Sequence, residues 1–200
     1  MASVPVQSPR LFPDRVKLPL AFDADRMAED LARLERGPWT EHFVRQNYDG
    51  DWSVLPLRCQ KGVTHPIMMI TSNPGISDYV DTPYLAEAPY LAEVLATFEA
   101  PLLPARLMRL GPGSQIKEHS DYDLSAEDGV VRIHVPVTSN PQVEFRVNRE
   151  LVPMLPGEAW YLRLSDVHSA VNRGDTARVH LVIDMDVNDW LIGMLEAGTA

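Results

Sequence analysis

The second half of the chain is a series of short apolar runs separated by turn residues. From Arg106 onward the runs are RLMRLGPGSQIKEH, VVRIHVPVT, QVEFRVN, AWYLRL, SAVN and ARVHLVIDMDV, with GPG, SNP, PGE and RGD within or between them. Short β-rich runs bounded by Gly, Pro, Asn and Asp are typical of strands joined by tight turns. This spacing predicts a mainly β core over residues 101–190, folded as a sandwich or barrel.

The first half, residues 1–100, is richer in helical patterns. In FDADRMAEDLARLERGPW, Asp23 or Asp25 is placed to cap a helix on which Met27, Leu31 and Leu34 recur at helical spacing. The segment APYLAEVLATFEAP predicts a second helix that begins near a proline, whereas WSVLPLRC and PIMMITS resemble strands. We expect these helices to pack outside the β core, with residues 1–200 forming one domain.

Composition excludes several classes of partner. The 200 residues are 45% apolar, and 28 acidic against 18 basic residues give a net charge of -10. This acidic balance, without a basic run, argues against nucleic acid or an anionic membrane as partner. Cys59, the single cysteine, has no partner for an internal disulfide, and MASVPVQSPRLFPDR lacks the apolar region of a signal peptide. We therefore expect a cytoplasmic protein.

Three residues form a candidate metal site. His119 and Asp121 lie two positions apart in IKEHSDYDL, and His168 lies in LSDVHSAVN, where a later strand can return beside the first. Two imidazoles and one carboxylate on one face of iron(II) form the facial triad of non-haem oxygenases, which leaves three coordination positions open. The same spacing also occurs by chance in many sequences, so His119 and Asp121 could instead be a solvated strand end.

Alternation along two strands brings further polar side chains together. Arg132 with His134, and Arg178 with His180, each lie two positions apart in an apolar run, so each pair faces one side of its strand. A buried arginine costs several kcal/mol unless it is paired or binds a ligand. Arg178 follows His168 along the chain and is suited to bidentate capture of the far carboxylate of a dicarboxylic acid.

The region from Arg106 to Asp186 resembles the aspartyl/asparaginyl β-hydroxylase family of 2-oxoglutarate-dependent oxygenases, and within it the bacterial proline cis-4-hydroxylases. The resemblance implies a double-stranded β-helix (jelly-roll, cupin-like) fold that uses iron(II), 2-oxoglutarate and dioxygen. It also implies succinate and carbon dioxide as co-products. Vertebrate members have a glycine in place of Asp121, so this sequence is similar to the bacterial branch that retains the carboxylate.

The resemblance also implies roles for individual residues. His119, Asp121 and His168 match the iron ligands, and Arg178 matches the arginine that holds the C5 carboxylate of 2-oxoglutarate. His134 matches a residue near the C1 carboxylate of 2-oxoglutarate. Arg132 and Arg106 match positions associated with binding of the substrate, Arg132 with its carboxylate. Proline hydroxylases continue with a helical region beyond the point where NDWLIGMLEAGTA ends. We therefore expect the substrate to be an amino acid or amino-acid-like molecule, without assigning proline.

Other interpretations compete with these roles. Arg178 could pair with Asp175 or Asp184, and His134 could be a structural histidine, as we expect His180, His42 and His65 to be. The loop DYDLSAEDG could be a solvated loop or a lid. For the whole chain, the alternatives are hydroxylation of a peptide or protein residue, halogenation, and a cupin-like binding protein without turnover. Halogenating relatives replace the metal-binding carboxylate with a small residue, so Asp121 argues against that activity.

Overall fold

The computed structural model describes residues 12–71 and 78–200. The strands are β1 (Arg15–Ala21), β2 (Thr40–Glu41), β3 (Tyr48–Asp49), β4 (Trp52–Gln60), β5 (Tyr79–Asp81), β6 (Leu102–Leu110), β7 (Gln115–His119), β8 (Val130–Thr138), β9 (Val143–Val147), β10 (Glu150–Leu151), β11 (Glu158–Leu162), β12 (His168–Asn172) and β13 (Arg178–Asp186). The helices are α1 (Ala24–Leu34), α2 (Pro66–Ile70), α3 (Pro83–Ala86), α4 (Pro89–Ala96) and α5 (Asp189–Ala197).

The strands form two antiparallel sheets. The larger sheet runs in the order β1-β11-β8-β13-β6-β4-β2, with β5 also paired to β4, and the smaller sheet runs β10-β9-β12-β7-β3. Strands that are neighbours in space are often distant in sequence, as when β13 lies between β6 and β8. This arrangement is the double-stranded β-helix, so the prediction of a mainly β fold with a jelly-roll core is confirmed.

Side-chain alternation on β13 divides the interior into two parts. Val179, Leu181, Ile183 and Met185 enter the hydrophobic cluster that includes the helices. Val182 enters a second cluster, which contains residues of both sheets. Because successive side chains of a strand point to opposite faces, the other even-numbered residues of β13 also face the space between the sheets. That face carries the polar residues Arg178, His180 and Asp184.

The predicted helices form where the sequence indicated. Asp23 caps α1, since its side chain accepts hydrogen bonds from the backbone nitrogens of Asp25 and Arg26. Pro89 occupies the first turn of α4, as expected from its fixed backbone angle and missing amide hydrogen. Side chains of α1, α4 and α5 share one buried cluster with the larger sheet, so these helices cover its outer face.

One predicted strand is wrong. The segment PIMMITS forms the short helix α2, which begins at Pro66 and ends at Ile70. A short apolar run cannot distinguish strand from helix by periodicity, and here the proline starts a helical turn. Ser72, the last residue of that segment, lies outside the described residues, as does most of the N-terminal stretch used to predict the absence of a signal peptide.

No helix in the described ranges combines the length and apolarity needed to span a membrane.

Candidate metal and cosubstrate site

Three predicted metal ligands converge at one edge of the smaller sheet. His119 ends β7 and His168 begins β12, and the two residues are directly opposite each other in the antiparallel register. Asp121 follows β7, where its backbone nitrogen donates to the carbonyl oxygen of Leu164 at 2.8 Å. One ligand atom from each of the three residues lies within 4.8 Å of the others. The two histidines are 49 positions apart in the sequence (168 − 119), and strand pairing brings them together.

The hydrogen bonds of both histidines direct the same ring nitrogen toward this site. The Nδ1 atom of His119 lies 2.7 Å from the carbonyl oxygen of Lys117, and Nδ1 of His168 lies 3.0 Å from that of Asp166. A carbonyl oxygen can only accept, so each Nδ1 carries a proton and each Nε2 keeps its lone pair. Metal-binding histidines commonly use such a backbone contact to fix their tautomer and orientation. The trio therefore offers two nitrogen donors and one carboxylate.

A cavity of about 640 Å³ lies beside these ligands. Its lining includes the three predicted ligands, the predicted cosubstrate residues Arg178 and His134, and the predicted substrate residues Arg106 and Arg132. All seven predicted site residues therefore line one cavity, although they come from five strands and one loop. Its volume is in the range of small-molecule sites.

Arg178 is a buried cation in this cavity without a carboxylate partner among the described residues. It is 2% exposed, one terminal nitrogen donates to Nδ1 of His180 at 2.8 Å, and its Nε has no hydrogen-bond partner there. Burial lowers the pKa of Arg178 to about 9. Of the two acids considered as partners, Asp175 is exposed and Asp184 bridges two other arginines. A buried guanidinium with an unused donor fits an anionic ligand.

The contact between Arg178 and His180 also determines the protonation of His134. A guanidinium nitrogen only donates, so Nδ1 of His180 is an acceptor. Nδ1 of His134 lies 3.2 Å from the same atom and must carry the hydrogen of that contact. Burial, reinforced by the charge of Arg178, holds the pKa of His134 well below its usual value. In the neutral ring Nε2 therefore keeps its lone pair, and it has no partner among the described residues.

Arg132 and Arg106 are both engaged by protein groups. Arg132 forms a two-point ion pair with Asp184 at 2.6 and 2.9 Å, and its third nitrogen donates to Asp121 at 2.8 Å. Arg106 donates to Asp184 at 2.6 Å and to the backbone carbonyl of Ile70 at 2.7 Å. Both arginines were predicted to bind a substrate carboxylate, and both are ion-paired with Asp184 in the structure. That role stays a prediction.

Burial lowers the pKa of two further histidines of the cavity, His168 and His42. Desolvation, with the neighbouring His119, lowers the pKa of His168 to about 4. Desolvation and the charges of Arg106 and Arg132 lower the pKa of His42 to about 3. Neutral imidazoles can coordinate a metal or accept hydrogen bonds, which is the state a metal site at neutral pH requires.

The chain matches a known protein family over most of its length. The model of the aspartyl/asparaginyl beta-hydroxylase family matches residues 22–187. The chain belongs to this family. The matched region runs from the start of α1 through β13, so it includes all of the strands that supply the predicted ligands. The resemblance inferred from the motifs around His119 and His168 is thereby confirmed.

Individual relatives in this family are proline hydroxylases. The chain is 29% identical over 168 residues to an L-proline cis-4-hydroxylase of Rhizobium meliloti (strain 1021), an alignment that covers 82% of this chain and 58% of the relative. It is 28% identical over 169 residues to L-proline cis-3-hydroxylase 2 of Streptomyces sp, with 82% and 57% covered. The chain thus spans less than two thirds of the length of these relatives.

Solved structures support the same fold. A 2OG-Fe(II) oxygenase family oxidoreductase of Burkholderia pseudomallei matches with a TM-score of 0.53 at 15% identity, covering 88% of each chain. A prolyl-4-hydroxylase of Pseudomonas putida matches with a TM-score of 0.51 at 10% identity, covering 88% of this chain and 93% of that one. At such low identity these matches establish the fold alone, which is the one the strand pattern and resemblance had predicted.

The sequence analysis missed two features of the cavity. Asp184 had been considered only as a partner of Arg178, whereas it joins Arg106 to Arg132. The position of Asp184 on the same face as Arg178 could have been predicted, because residues 178, 180, 182 and 184 lie on one face of a strand. His42 had been treated as structural, yet it lines the cavity and stacks on Trp52 with a centroid separation of 3.6 Å. No motif marks His42, since only the fold brings residues 42–52 to this cavity.

Proposed function

We propose that the chain is an iron(II)- and 2-oxoglutarate-dependent dioxygenase that hydroxylates an sp3 carbon of an amino acid or amino-acid-like small molecule. The observation that carries this proposal is the presence in one cavity of three convergent metal-ligand candidates and a buried guanidinium that lacks a carboxylate partner among the described residues. Non-haem oxygenases need this combination of an open three-ligand site and an anchor for a keto diacid.

The residues present fit both groups. His119, Asp121 and His168 would hold the iron, because two lone-pair nitrogens and a carboxylate oxygen lie on one side of the cavity. Arg178 would bind the C5 carboxylate of 2-oxoglutarate through donors that include the unused Nε. His134, with its unpartnered Nε2, would face the C1 end. When bound, the iron and its cosubstrate supply the oxidising chemistry, with succinate and carbon dioxide as co-products.

The protein would then contribute by positioning the substrate and by excluding water from the cavity. The walls of the cavity are largely apolar, with Trp52, Met108, Phe145 and Leu164 among the lining residues. Such walls hold a small substrate against the metal and allow its orientation to decide which C–H bond is attacked. Because Arg106 and Arg132 already bind Asp184, a substrate carboxylate would share these arginines with a protein carboxylate.

The names of the relatives support a small substrate over a peptide, because these relatives are L-proline hydroxylases. Asn47 and Trp52, from the segment RQNYDGDWSVLPLRCQKG, line the cavity together with residues 42–44. We therefore propose a free amino acid or a similar small molecule, with dioxygen as co-reactant. A single free cysteine is in keeping with the cytoplasmic location that the sequence predicts.

Turnover of 2-oxoglutarate tests this function. The chain is supplied with Fe(II), 2-oxoglutarate, oxygen and a panel of amino acids, while succinate and the mass of one added oxygen in the substrate are measured. We expect substrate-stimulated succinate formation that is lost in His119→Ala and in His168→Ala. His65→Ala, at an exposed histidine that does not line the cavity, is the matched control. Iron-dependent turnover retained in both ligand variants would refute the assignment, and a chain that binds metal without turnover would support the binding-protein alternative.

A further inference from the structure

Asp184 and Arg132 form a chain of contacts that ends on a predicted metal ligand. Asp184 is 1% exposed, and it lies directly opposite Arg132 in the pairing of β13 with β8. The two side chains meet at two points, with Nε of Arg132 2.6 Å from Oδ1 of Asp184 and a terminal nitrogen 2.9 Å from Oδ2. A two-point contact fixes the plane of the guanidinium as well as its position.

The other terminal nitrogen of Arg132 reaches the metal site. It donates to Oδ2 of Asp121 at 2.8 Å, whereas Oδ1 of Asp121 lies 3.6 Å from Nε2 of His119. One carboxylate oxygen is therefore held by the protein, and the other is left on the side of the histidines. This division favours coordination of a metal through one oxygen.

Charge gives Asp184 a second effect on the same site. Arg132 contacts Asp121, Arg106 interacts with Asp121 electrostatically, and Asp184 accepts hydrogen bonds from both arginines. A guanidinium is not deprotonated in proteins, so both arginines carry a full positive charge. Without Asp184, two poorly compensated guanidinium groups would repel a divalent cation at the neighbouring site.

We propose that Asp184 is a positioning residue for the metal centre: by fixing Arg132 it orients Asp121 as a one-oxygen ligand, and it offsets the charge of Arg106 and Arg132. This inference rests on the proposed metal site but concerns residues that do not touch the metal. It predicts that removal of the Asp184 charge weakens metal binding even though the three ligands remain. Outer contacts of metal ligands typically change metal affinity about 10- to 100-fold.

Binding of Co(II) to the metal-free chain tests the role of Asp184 without turnover. We expect Asp184→Asn to weaken Co(II) binding about 10- to 100-fold and to alter the visible absorption bands that report the coordination of the ion. Asp30→Asn is the matched control, because Asp30 is equally buried at 1% exposure but lies on α1. The control should keep the wild-type affinity and spectrum. A folded Asp184→Asn chain with wild-type affinity and spectrum would overturn the proposal.

A double-mutant cycle tests whether Asp184 acts through Arg132. In an Arg132→Met background, adding Asp184→Asn should weaken Co(II) binding clearly less than it does in the wild-type chain, because the group that orients Asp121 is gone and only the charge of Arg106 still loses its compensation. Equal and independent effects of the two substitutions would contradict transmission. If Asp184→Asn does not fold, Arg132→Lys decides, because an ammonium cannot bridge both carboxylates and must also weaken binding. Wild-type affinity in Arg132→Lys would overturn the proposal, whereas a wild-type chain that binds no Co(II) would remove the metal site itself.

Discussion

Three arginines line one cavity, and their partners distinguish their roles. Arg106 and Arg132 share the carboxylate of Asp184, so their charges are compensated within the protein. Arg178 donates to the imidazole of His180, its guanidinium carbon lies 5.6 Å from the centre of the Phe145 ring, and it has no carboxylate partner among the described residues. A buried cation of this second kind is costly unless an anion arrives. We therefore expect arginines to stabilise the fold at one end of the cavity and to bind a ligand at the other.

Arg178→Met tests the ligand-binding role. Loss of a buried, charge-assisted contact costs about 2 to 5 kcal/mol, so we expect KM for 2-oxoglutarate to rise at least about 30-fold. Arg109→Met is a suitable control, because Arg109 stacks on Trp39 and does not line the cavity. Steady-state kinetics with varied 2-oxoglutarate measure the effect. An unchanged KM in Arg178→Met would contradict the assignment of the C5 carboxylate to this residue.

The tautomer of His134 is a second prediction at the residue scale. In the metal-free protein at neutral pH, we expect His134 to carry its proton on Nδ1 and His180 to carry its proton on Nε2. The reason is that Arg178 can only donate to Nδ1 of His180. Nitrogen-15 spectra of labelled imidazoles distinguish the protonated from the unprotonated ring nitrogen of each histidine. A proton found on Nε2 of neutral His134 would show that the hydrogen-bond chain is wrong.

Sequence reasoning identified the residues of this cavity better than their partners. The motifs around His119 and His168 and the alternation on β8 and β13 selected side chains that do line one cavity. The counterions of the arginines were harder to assign. Arg132 and Asp184 are 52 positions apart, and their ion pair depends on the register between β8 and β13. Register is decided by the packing of the whole sheet, and local sequence does not specify it.

At the scale of elements, α1 and α4 show how helices beside the sheet are held. Asp30 of α1 is 1% exposed, and its Oδ2 accepts a hydrogen bond from the backbone nitrogen of Leu91 in the first turn of α4 at 2.8 Å. Ala88, at the N-cap of α4, provides no side-chain cap. A side chain of α1 thus caps α4, and the spacing of apolar residues in the sequence could not reveal this contact.

Removal of this cap should destabilise the fold without affecting the cavity. We expect Asp30→Ala to lower the free energy of unfolding by about 1 to 3 kcal/mol, because a buried backbone N–H loses its partner. Asp23→Ala, which removes the exposed cap of α1, should cost about 1 kcal/mol and serves as comparison. Urea unfolding followed by circular dichroism gives both values. A smaller loss in Asp30→Ala than in Asp23→Ala would contradict the cap between helices.

The turn before β11 makes a prediction about backbone conformation. Gly157 has a φ of 88°, and a Cβ placed there would lie 2.4 Å from the carbonyl oxygen of Phe22. Gly62 has a φ of 80° but nothing within 4 Å of such a Cβ. We expect Gly62→Ala to cost about 1 kcal/mol and Gly157→Ala clearly more, about 2 to 4 kcal/mol, in the free energy of unfolding. Equal losses by urea unfolding would show that the close approach to Phe22 is relieved at little cost.

In the whole molecule, the larger sheet lies between an apolar core, which includes the helices, and the cavity that contains the candidate site residues. One face of β13 packs with the helices, and the other carries Arg178, His180 and Asp184 toward the space between the sheets. The sequence predicted this division, because the run RVHLVIDMD alternates between apolar and mostly polar residues. It failed at α2, where a short apolar run with an exposed surface gave no periodic signal. Long alternating strands are therefore readable from sequence, whereas short connecting elements depend on what they pack against.

The buried imidazoles make the stability of the metal-free molecule dependent on pH. Burial holds the pKa values of His134 and His180 well below 6.5, and burial with the charges of Arg106 and Arg132 lowers that of His42 to about 3. In the unfolded chain these groups titrate near 6.5. The folded chain thus binds fewer protons in acid, so their contribution to stability is complete above about pH 6.5 and is lost as the pH falls toward the folded-state values.

We therefore expect the free energy of unfolding to fall between pH 6.5 and 5, approaching about 1.4 kcal/mol per pH unit for each imidazole that stays neutral in the fold. Urea unfolding of the metal-free chain at several pH values measures this slope. His42→Asn removes one such group, so its slope should be smaller by up to about 1.4 kcal/mol per pH unit, whatever its stability at pH 7.5. The exposed His65 is again the control, and His65→Asn should leave the slope unchanged. Stability independent of pH over this range would mean that the cavity admits enough water to charge its histidines, and neutral nitrogen ligands could then not be assumed for the metal site.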